Sequence, residues 1–188
     1  MYKLCKTEYS VRRQRQIEEA LLETMETSRY EDISVSDLCA RLGIPRKSFY
    51  RYFSSKDGAL FALIDHRLLE YENQPEGMVT LRKGGLYLDI EWFFEYWKIQ
   101  KPLLDALERS GLSGVLVERT IRNSQEARVF EYRDQPEEYV RAVTAFSICG
   151  MMSMVLQWHH EGYRESVEEM AAMARKILGN PVIPGAEM

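Results

Sequence analysis

The chain of 188 residues has few cysteines and histidines, and it lacks the sequence patterns of common enzyme sites. It has three cysteines and three histidines, and their spacing matches no zinc motif. No Gly-rich phosphate loop, HExxH pattern or Ser-His-Asp constellation is found. We therefore expect no catalytic residue, no metal site and no cofactor, and we expect that the protein is not an enzyme.

Signals for a membrane or for secretion are also lacking. The N-terminus has no apolar run of the kind found in signal peptides. The uncharged stretch Thr144–Trp158 contains Thr, Ser and Gln, and it is short for a membrane span. Three cysteines cannot all pair, which fits a reducing compartment. These features predict a cytoplasmic protein with no membrane partner, and they predict that Thr144–Trp158 is a buried helix.

The net charge of −4 conceals an uneven distribution. Residues 1–70 carry 12 Lys and Arg against 11 Asp and Glu, whereas residues 71–188 carry 13 against 18. Two stretches, 1–16 and 34–56, each contain a single acid among five basic residues. An acidic protein with basic patches near one end is typical of a nucleic-acid-binding protein. For residues 1–16 the sequence leaves two interpretations open, DNA contact and a solvated terminus.

Residues 34–60, SVSDLCARLGIPRKSFYRYFSSKDGAL, have the pattern of a helix-turn-helix. Ser34 and Asp37 have the spacing of a capping box at the start of a helix. Gly43 can adopt the left-handed conformation that ends this helix, and Pro45 suits the first position of the next one. The sequence therefore predicts two short helices joined by a tight turn.

The second of these helices is basic and aromatic, which is the chemistry expected of a helix that enters the major groove of DNA. Its polar side chains can reach phosphates and base edges. The predicted DNA contacts are Ser34, Ser36, Arg46, Lys47, Ser48, Tyr50, Tyr52 and Lys56. Phe49 and Phe53, four residues apart, are expected to face the core, and Ser54 with Asp57 is expected to cap the following helix.

The segment from Ile17 to Leu63 resembles the TetR family of transcriptional regulators. The matching positions are Leu42, Gly43, Tyr50, Arg51, Tyr52, Phe53, Lys56 and Leu60. Arg29 and Lys47 stand where many relatives have glycine, so the helix cap and the operator are expected to differ. The resemblance implies a homodimer that binds a palindromic operator in double-stranded DNA. It also implies that a small-molecule effector releases the dimer from this operator.

The absence of strand-like alternation predicts an all-α fold. We expect an N-terminal three-helix head with the helix-turn-helix, residues 8–54. A helical body for effector binding and dimerisation, residues 55–188, is expected to follow. Residues 73–80 are predicted to form a loop, and a helix is predicted from Leu81 to Ile99.

Aromatic and methionine side chains of the body are candidates for an apolar ligand cavity, because such residues line adaptable pockets. Arg119 is included among the candidates because its guanidinium could pair with an acid group of the ligand. The predicted effector contacts are Trp92, Phe93, Tyr96, Trp97, Arg119, Phe146, Met151, Met154 and Trp158. The alternative, which the sequence leaves open, is that these residues are simply the core of a helical domain.

Small residues in the helix of residues 137–160, among them Gly150, favour close helix approach and hence dimerisation. The last helix, with Ala174, is predicted to take part. The sequence thus predicts a cytoplasmic homodimeric repressor that a small apolar effector releases from its operator. The alternative is a TetR-like co-regulator or activator that is controlled by a protein partner.

Overall fold

A computed structural model of the chain describes residues 1–72, 80–82, 85–87, 90–126 and 135–178. Within these ranges the architecture is helical, with one short antiparallel hairpin. The helices are α1 Glu8–Met25, α2 Val35–Arg41, α3 Arg46–Tyr50, α4 Lys56–Glu72, α5 Ile90–Ile99, α6 Lys101–Arg109, α7 Ser113–Glu126, α8 Glu137–His160 and α9 Val167–Leu178. A turn of 3₁₀ helix, Tyr30–Asp32, precedes α2. The predicted all-α class is confirmed.

The hairpin was not expected from the sequence. Strands β1, Thr80–Arg82, and β2, Gly85–Tyr87, pair antiparallel with Leu81 opposite Leu86. The prediction of a helix from Leu81 was wrong, since α5 begins at Ile90. Thr80 and Gly85 are weak helix formers, so apolar residues alone did not extend the helix backwards. Most of the predicted loop, residues 73–79, lies outside the described residues.

The chain forms two compact units. Unit 1 consists of Met1–Glu70 and Pro102–Thr120, and unit 2 contains the described residues of Tyr71–Lys101 and Ile121–Met188. Unit 1 therefore combines the predicted head with most of α4, α6 and α7. The functional division that we predict at residue 54 is a different one, and it stays a prediction.

The core of unit 1 is built on helical spacing. Ile17, Leu21 and Met25 lie four residues apart on one face of α1, and each is 0% exposed. Phe49 of α3 and Phe53 after it are also buried, with ring centroids 5.3 Å apart. Burial of each such side chain contributes about 1.5–3 kcal/mol. This shared core holds α3 in place.

The core of unit 2 is aromatic. Helix α5 buries Phe93, Phe94, Tyr96 and Trp97, and it packs against α8 and α9. Trp158 of α8 meets Phe94 edge to face, with ring centroids 5.8 Å apart. This arrangement suits the quadrupoles of the two rings. The aromatic residues that the sequence suggested for a ligand cavity thus form much of the packing of unit 2.

Candidate nucleic-acid interface

Helix α2 begins with the predicted capping box. The Asp37 amide donates to Ser34 Oγ at 3.1 Å, and the Ser34 amide donates to Asp37 Oδ2 at 3.2 Å. Hydrogen bonds from the Ser34 side chain and then from its main chain lower the pKa of Asp37, because they favour the charged carboxylate. The start of the helix-turn-helix is therefore fixed by its own local sequence.

The turn between α2 and α3 has the hydrogen bonds of a Schellman motif. Gly43 has φ of 61°, and its amide donates to the carbonyl oxygen of Ala40 at 3.1 Å. The Ile44 amide donates to the carbonyl oxygen of Cys39 at 3.0 Å. Only glycine takes such a φ at little cost, so Gly43 sets the direction in which α3 leaves the turn.

Helix α3 presents a polar face opposite its buried phenylalanine. Arg46, Lys47 and Tyr50 are exposed, and Ser48 is half-buried. Arg46 Nη2 donates to the Tyr50 hydroxyl at 3.3 Å across one helical turn. A guanidinium, an ammonium and two hydroxyl groups on one short helix can bond to phosphates and to base edges.

The other predicted DNA contacts differ in accessibility. Ser36 and Ser34 are exposed at the start of α2, although the Ser34 hydroxyl already takes part in the capping box. Tyr52 is only 5% exposed and its ring packs beside Phe53. A contact between Tyr52 and DNA stays a prediction, and this burial argues against it.

Lys56 has a structural role that the sequence did not reveal. Its Nζ donates to the carbonyl oxygens of Tyr30 and Ile33, the latter at 2.6 Å. It also lies 4.2 Å from the centroid of the Tyr30 ring, which is a cation–π contact. Lys56 therefore ties the turn before α2 to the start of α4. Its predicted phosphate contact stays a prediction beside this role.

The cap of α4 also differs from the prediction. The Gly58 amide donates a hydrogen bond to Ser55 Oγ at 3.2 Å, so the capping side chain is Ser55 and not Ser54. Asp57 instead accepts a hydrogen bond from the Tyr30 hydroxyl at 2.6 Å. The predicted pairing was wrong because Ser54 Oγ donates to the carbonyl oxygen of Met1 at 2.8 Å. Such long-range partners are invisible in a local motif.

The basic side chains of unit 1 fall into three groups. Those engaged with acids are Arg15, Arg29, Arg41, Arg67 and Arg119, while Lys56 and Arg109 donate to main-chain carbonyl groups. Within the described ranges the others have no acidic partner, and they are Lys3, Lys6, Arg12, Arg13, Arg46, Lys47 and Arg51. These unpaired cations lie in the first half of α1, in the segment before it, and in α3 and the residue after it.

The predicted effector residues are only partly brought together. Phe93, Tyr96, Trp97 and Met151 are buried in the core of unit 2, whereas Phe146 is 63% exposed. Trp92 is half-buried. Effector contacts by these residues stay predictions, and a ligand that reached the buried ones would have to displace core packing.

An open groove lies between α8 and α9 in unit 2, with a volume of about 470 Å³. It is lined by Ser153, Met154, Gln157, Trp158, Glu161, Glu165, Met170 and Met173. It therefore includes two of the predicted effector residues, Met154 and Trp158. Its methionine side chains suit an apolar ligand, while Trp158 is only 1% exposed.

Arg119, predicted to meet an effector's acid group, is instead paired within unit 1. Its Nε donates to Asp65 Oδ1 at 2.8 Å, and Nη2 donates to Oδ2 of the same carboxylate. Asp65 is 2% exposed. A buried carboxylate requires such a partner, so Arg119 has a structural role. A role for Arg119 in effector binding stays a prediction that this geometry does not support.

Helix α8 leaves an apolar face uncovered in the single chain. Tyr139, Phe146, Cys149, Gly150 and Ser153 are exposed and follow helical spacing, and we call them the α8 outer face. The prediction of a buried helix was therefore only partly correct. By length and composition alone α8 could cross a membrane, which is weak evidence, and 28% of its most apolar window is buried.

Comparison with known proteins identifies the N-terminal segment. The sequence pattern of the bacterial regulatory proteins of the tetR family matches residues 19–63. The match covers about a quarter of the chain, and it shows a tetR-like N-terminal segment. The matched residues contain α2, the turn and α3, whose exposed cations are described above.

Proteins similar to this chain include a curated regulator and a solved structure. The chain is 36% identical over 74 residues to the HTH-type transcriptional regulator EthR of Mycolicibacterium smegmatis, a match that covers 37% of this chain and 34% of that protein. The chain thus matches about a third of the length of this curated relative. The solved structure of the fatty acid degradation regulator FadR from Bacillus halodurans matches 93% of this chain and 96% of that chain, with a TM-score of 0.54 and 13% identity. At this identity the likeness shows the fold alone.

Proposed function

We propose that this regulator is a cytoplasmic repressor that binds a palindromic operator as a homodimer and leaves it when a small apolar molecule binds. The observation that carries the proposal is the exposed face of α3, where Arg46 and Lys47 have no acidic partner among the described residues. A helix held by buried Phe49 and presenting such groups suits the major groove.

Direct reading of bases is assigned to Arg46, Lys47, Ser48 and Tyr50. Lys47 is exposed and has no partner within the described part of the chain, so its ammonium is available for a base edge or a phosphate. Arg46 is oriented by its bond to the Tyr50 hydroxyl, which reduces the entropy cost when it binds. A good bidentate contact to a base contributes about 1–3 kcal/mol of discrimination.

The α8 outer face supports the proposed homodimer. Exposed Phe146 beside the small residues Cys149, Gly150 and Ser153 forms an apolar surface that a second copy could cover closely. Met173 and Ile177 of α9, 41% and 46% exposed, extend the apolar character of this pair of helices. Ala174, which the sequence suggested for the interface, is 0% exposed inside unit 2 and belongs to its core.

Effector control requires a ligand that binds two arrangements of the protein with different affinity. The groove beside Met154 and Trp158 supports a binding site of drug-like size. Helix α4, which follows the helix-turn-helix in sequence, is the proposed lever, and within unit 1 it is joined to α7 by Asp65 and Arg119. A coupling of about 1–3 kcal/mol would change operator affinity about 5- to 150-fold.

A second candidate is a regulator of the same family that responds to a protein partner. The packing of Phe93, Trp97 and Met151 into the core favours it, because these residues then offer no ligand surface. Apolar residues exposed on α8 would serve such a partner as well as a second copy. The two candidates differ in what binds unit 2, and they share the DNA-binding role of α3.

Selection of duplexes from a random-sequence library tests the proposal, because the selection itself reveals the operator. The expected result is an enriched site with two inverted half-sites about 10 base pairs apart, or a multiple of that spacing. Sedimentation of the complex should show two chains per site. Failure to enrich any sequence, together with a monomer at micromolar concentration, would contradict the proposal.

A further inference from the structure

The segment before α1 is built into the surface next to α3. Residues 1–6, which we call the arm, include an antiparallel bridge between Tyr2 and Phe53. The Lys3 amide donates to the carbonyl oxygen of Tyr52 at 2.9 Å. Gln14 Nε2 of α1 in turn donates to the carbonyl oxygen of Lys3 at 3.2 Å. The arm therefore runs alongside the end of the recognition helix and is held from both sides.

The side chain of Tyr2 fixes the arm from beneath. Its hydroxyl donates to Asp65 Oδ2 at 2.6 Å, on the carboxylate that also binds Arg119. Burial first, and then the hydrogen bond to Asp65, raise the pKa of Tyr2 above its ordinary value. The hydroxyl thus remains a donor throughout the neutral range. Since side chains alternate along an extended chain, Lys3 projects to the opposite, solvent side.

The start of α1 brings further positive charge to a groove beside the end of α2. Arg12 and Arg13 line a groove of about 570 Å³ that also contains Arg41, Leu42 and the acids Glu19 and Glu23. Glu19 and Glu23 are paired with Arg67 and Arg41. Arg41 in this groove is paired with Glu23 at 2.6 Å, whereas Arg12 and Arg13 have no acidic partner in the described part of the chain. Unpaired cations therefore lie beside the residues that follow α3 and beside the end of α2, the two helices of the helix-turn-helix.

We propose that Lys3, Lys6, Arg12 and Arg13 form a second phosphate-binding strip, which holds the DNA backbone next to the bases that α3 reads. The inference rests on the proposed role of α3 in the major groove. Contacts to phosphate fix position and carry no sequence information of their own. The strip contributes affinity and salt dependence, while Arg46 and Lys47 contribute sequence preference.

Neutralising the strip tests this division of labour. The probe is a duplex of mixed sequence of about 30 base pairs, titrated by fluorescence anisotropy between about 50 and 200 mM KCl. Two variants, Lys3→Gln with Lys6→Gln and Arg12→Gln with Arg13→Gln, each remove two cations per chain. Each should reduce the slope of log affinity against log salt by up to about 3.6 in a dimer, because each phosphate contact contributes about 0.9.

A matched control keeps the change in net charge the same. Arg164→Gln with Lys176→Gln also removes two exposed cations, but from unit 2, and should leave the slope unchanged. On the selected operator, the strip variants should lose affinity by the same factor as on mixed-sequence DNA, so their specificity ratio is preserved. Circular dichroism should show the wild-type helix content, since these side chains are largely exposed.

Tyr2→Phe separates the position of the arm from its charge. It removes the bond to Asp65 without altering any charge, so it should lower the salt slope by less than the lysine variant does. Tyr9→Phe, at a residue 69% exposed, is its control and should have no effect. An unchanged slope in Tyr2→Phe would show that this hydroxyl does not position the arm.

The outcomes distinguish this inference from the proposed function. If the wild type binds the selected operator and both strip variants keep its salt slope, the strip is wrong and the role of α3 stands. If the wild type has no preference for any duplex, the proposed function itself fails. A strip variant that loses specificity while keeping its salt slope would also overturn the assignment. Such a result would mean that the replaced side chains read bases and do not bind phosphates.

Discussion

The α2–α3 segment and the aromatic cluster of unit 2 were both singled out in the sequence, but they hold their predicted functional residues in different ways. In α3, Phe49 is fully buried and Lys47 is exposed, so packing and binding use separate faces of one helix. In α5, Phe93 and Trp97 were predicted to bind a ligand, and they are packed into the core. The polar face of α3 is therefore accessible to a ligand, whereas Phe93 and Trp97 are not.

The largest expected effect comes from separating the two proposed copies. Gly150→Arg places a charge on the α8 outer face, where an added side chain meets nothing in the single chain. Burial of this unpaired charge between copies would be costly, so the dimer should dissociate. Loss of the linkage between half-sites should then reduce operator affinity roughly 10²- to 10⁴-fold. Sedimentation and operator titration measure the two effects.

Gly114→Arg is the matched control for this variant. Gly114 is also exposed in a helix with open space beside it, but it lies in α7. It should leave both the dimer and operator affinity intact. A Gly150→Arg protein that remained dimeric would show that the copies associate through another surface and would remove the main support for the α8 outer face.

The groove in unit 2 gives the second prediction. An apolar molecule that binds beside Trp158 should change its fluorescence and reduce operator affinity about 5- to 150-fold. A polar compound of similar size is the control and should do neither. Loss of operator affinity with unchanged tryptophan fluorescence would place the effector elsewhere. A panel of apolar compounds without any response would favour control by a protein partner.

The third prediction separates two roles of lysine in the helix-turn-helix. Lys56→Met removes a donor from the carbonyl groups of Tyr30 and Ile33, so the free energy of unfolding should fall by about 1–3 kcal/mol. Lys47 is exposed and has no partner in the described chain, so Lys47→Met should change the free energy of unfolding by less than about 0.5 kcal/mol. Urea unfolding compares the two proteins.

DNA binding by Lys47→Met and Lys56→Met compares the functional roles of the two lysines. Lys47→Met should weaken operator binding, and measurements on folded Lys56→Met protein show whether Lys56 also holds a phosphate. In that case its salt slope falls by about 0.9 for each phosphate that is no longer bound. Equal stability of the two variants would contradict the structural role that we assign to Lys56.

The smallest expected effect is at the start of α2. Ser34→Ala removes the cap and should reduce stability by about 1 kcal/mol, whereas Ser36→Ala should have little effect on stability. Thermal unfolding compares the two. Because the pKa of Asp37 is lowered in the folded protein, its contribution is present above the ordinary aspartate pKa and is lost as pH falls through the lowered value. The difference between wild type and Ser34→Ala should therefore shrink in acid.

Local chemistry explains why the helix-turn-helix could be predicted. The Ser34 cap, the left-handed Gly43 and the buried Phe49 depend on neighbours within a few residues, and all three were expected. The bond of Lys56 to Ile33 and the pairing of Arg119 with Asp65 join residues far apart in the chain. No periodicity or capping rule encodes such pairs, so their roles emerged only from the structure.

The predictions for unit 2 were less accurate because they depended on contacts between residues far apart in the chain. Apolar residues before Ile90 suggested a longer helix, but hydrophobicity alone does not separate a strand from a helix, and the hairpin formed instead. The aromatic residues of α5 were assigned partly to a cavity because sequence cannot show which of them meet Trp158. Of the predicted contacts, the groove retains Met154 and Trp158.

The central claim is that α3 reads DNA sequence, and a specificity ratio tests it most directly. Affinity of the wild type and of the Arg46→Ala, Lys47→Ala double variant should be measured on the selected operator and on a scrambled duplex, at several salt concentrations. We predict that the wild type prefers the operator by at least about 10³-fold at physiological salt. The double variant should lose about 1–3 kcal/mol of this preference for each base contact removed. Equal affinity of the wild type for both duplexes at every salt concentration would contradict the claim.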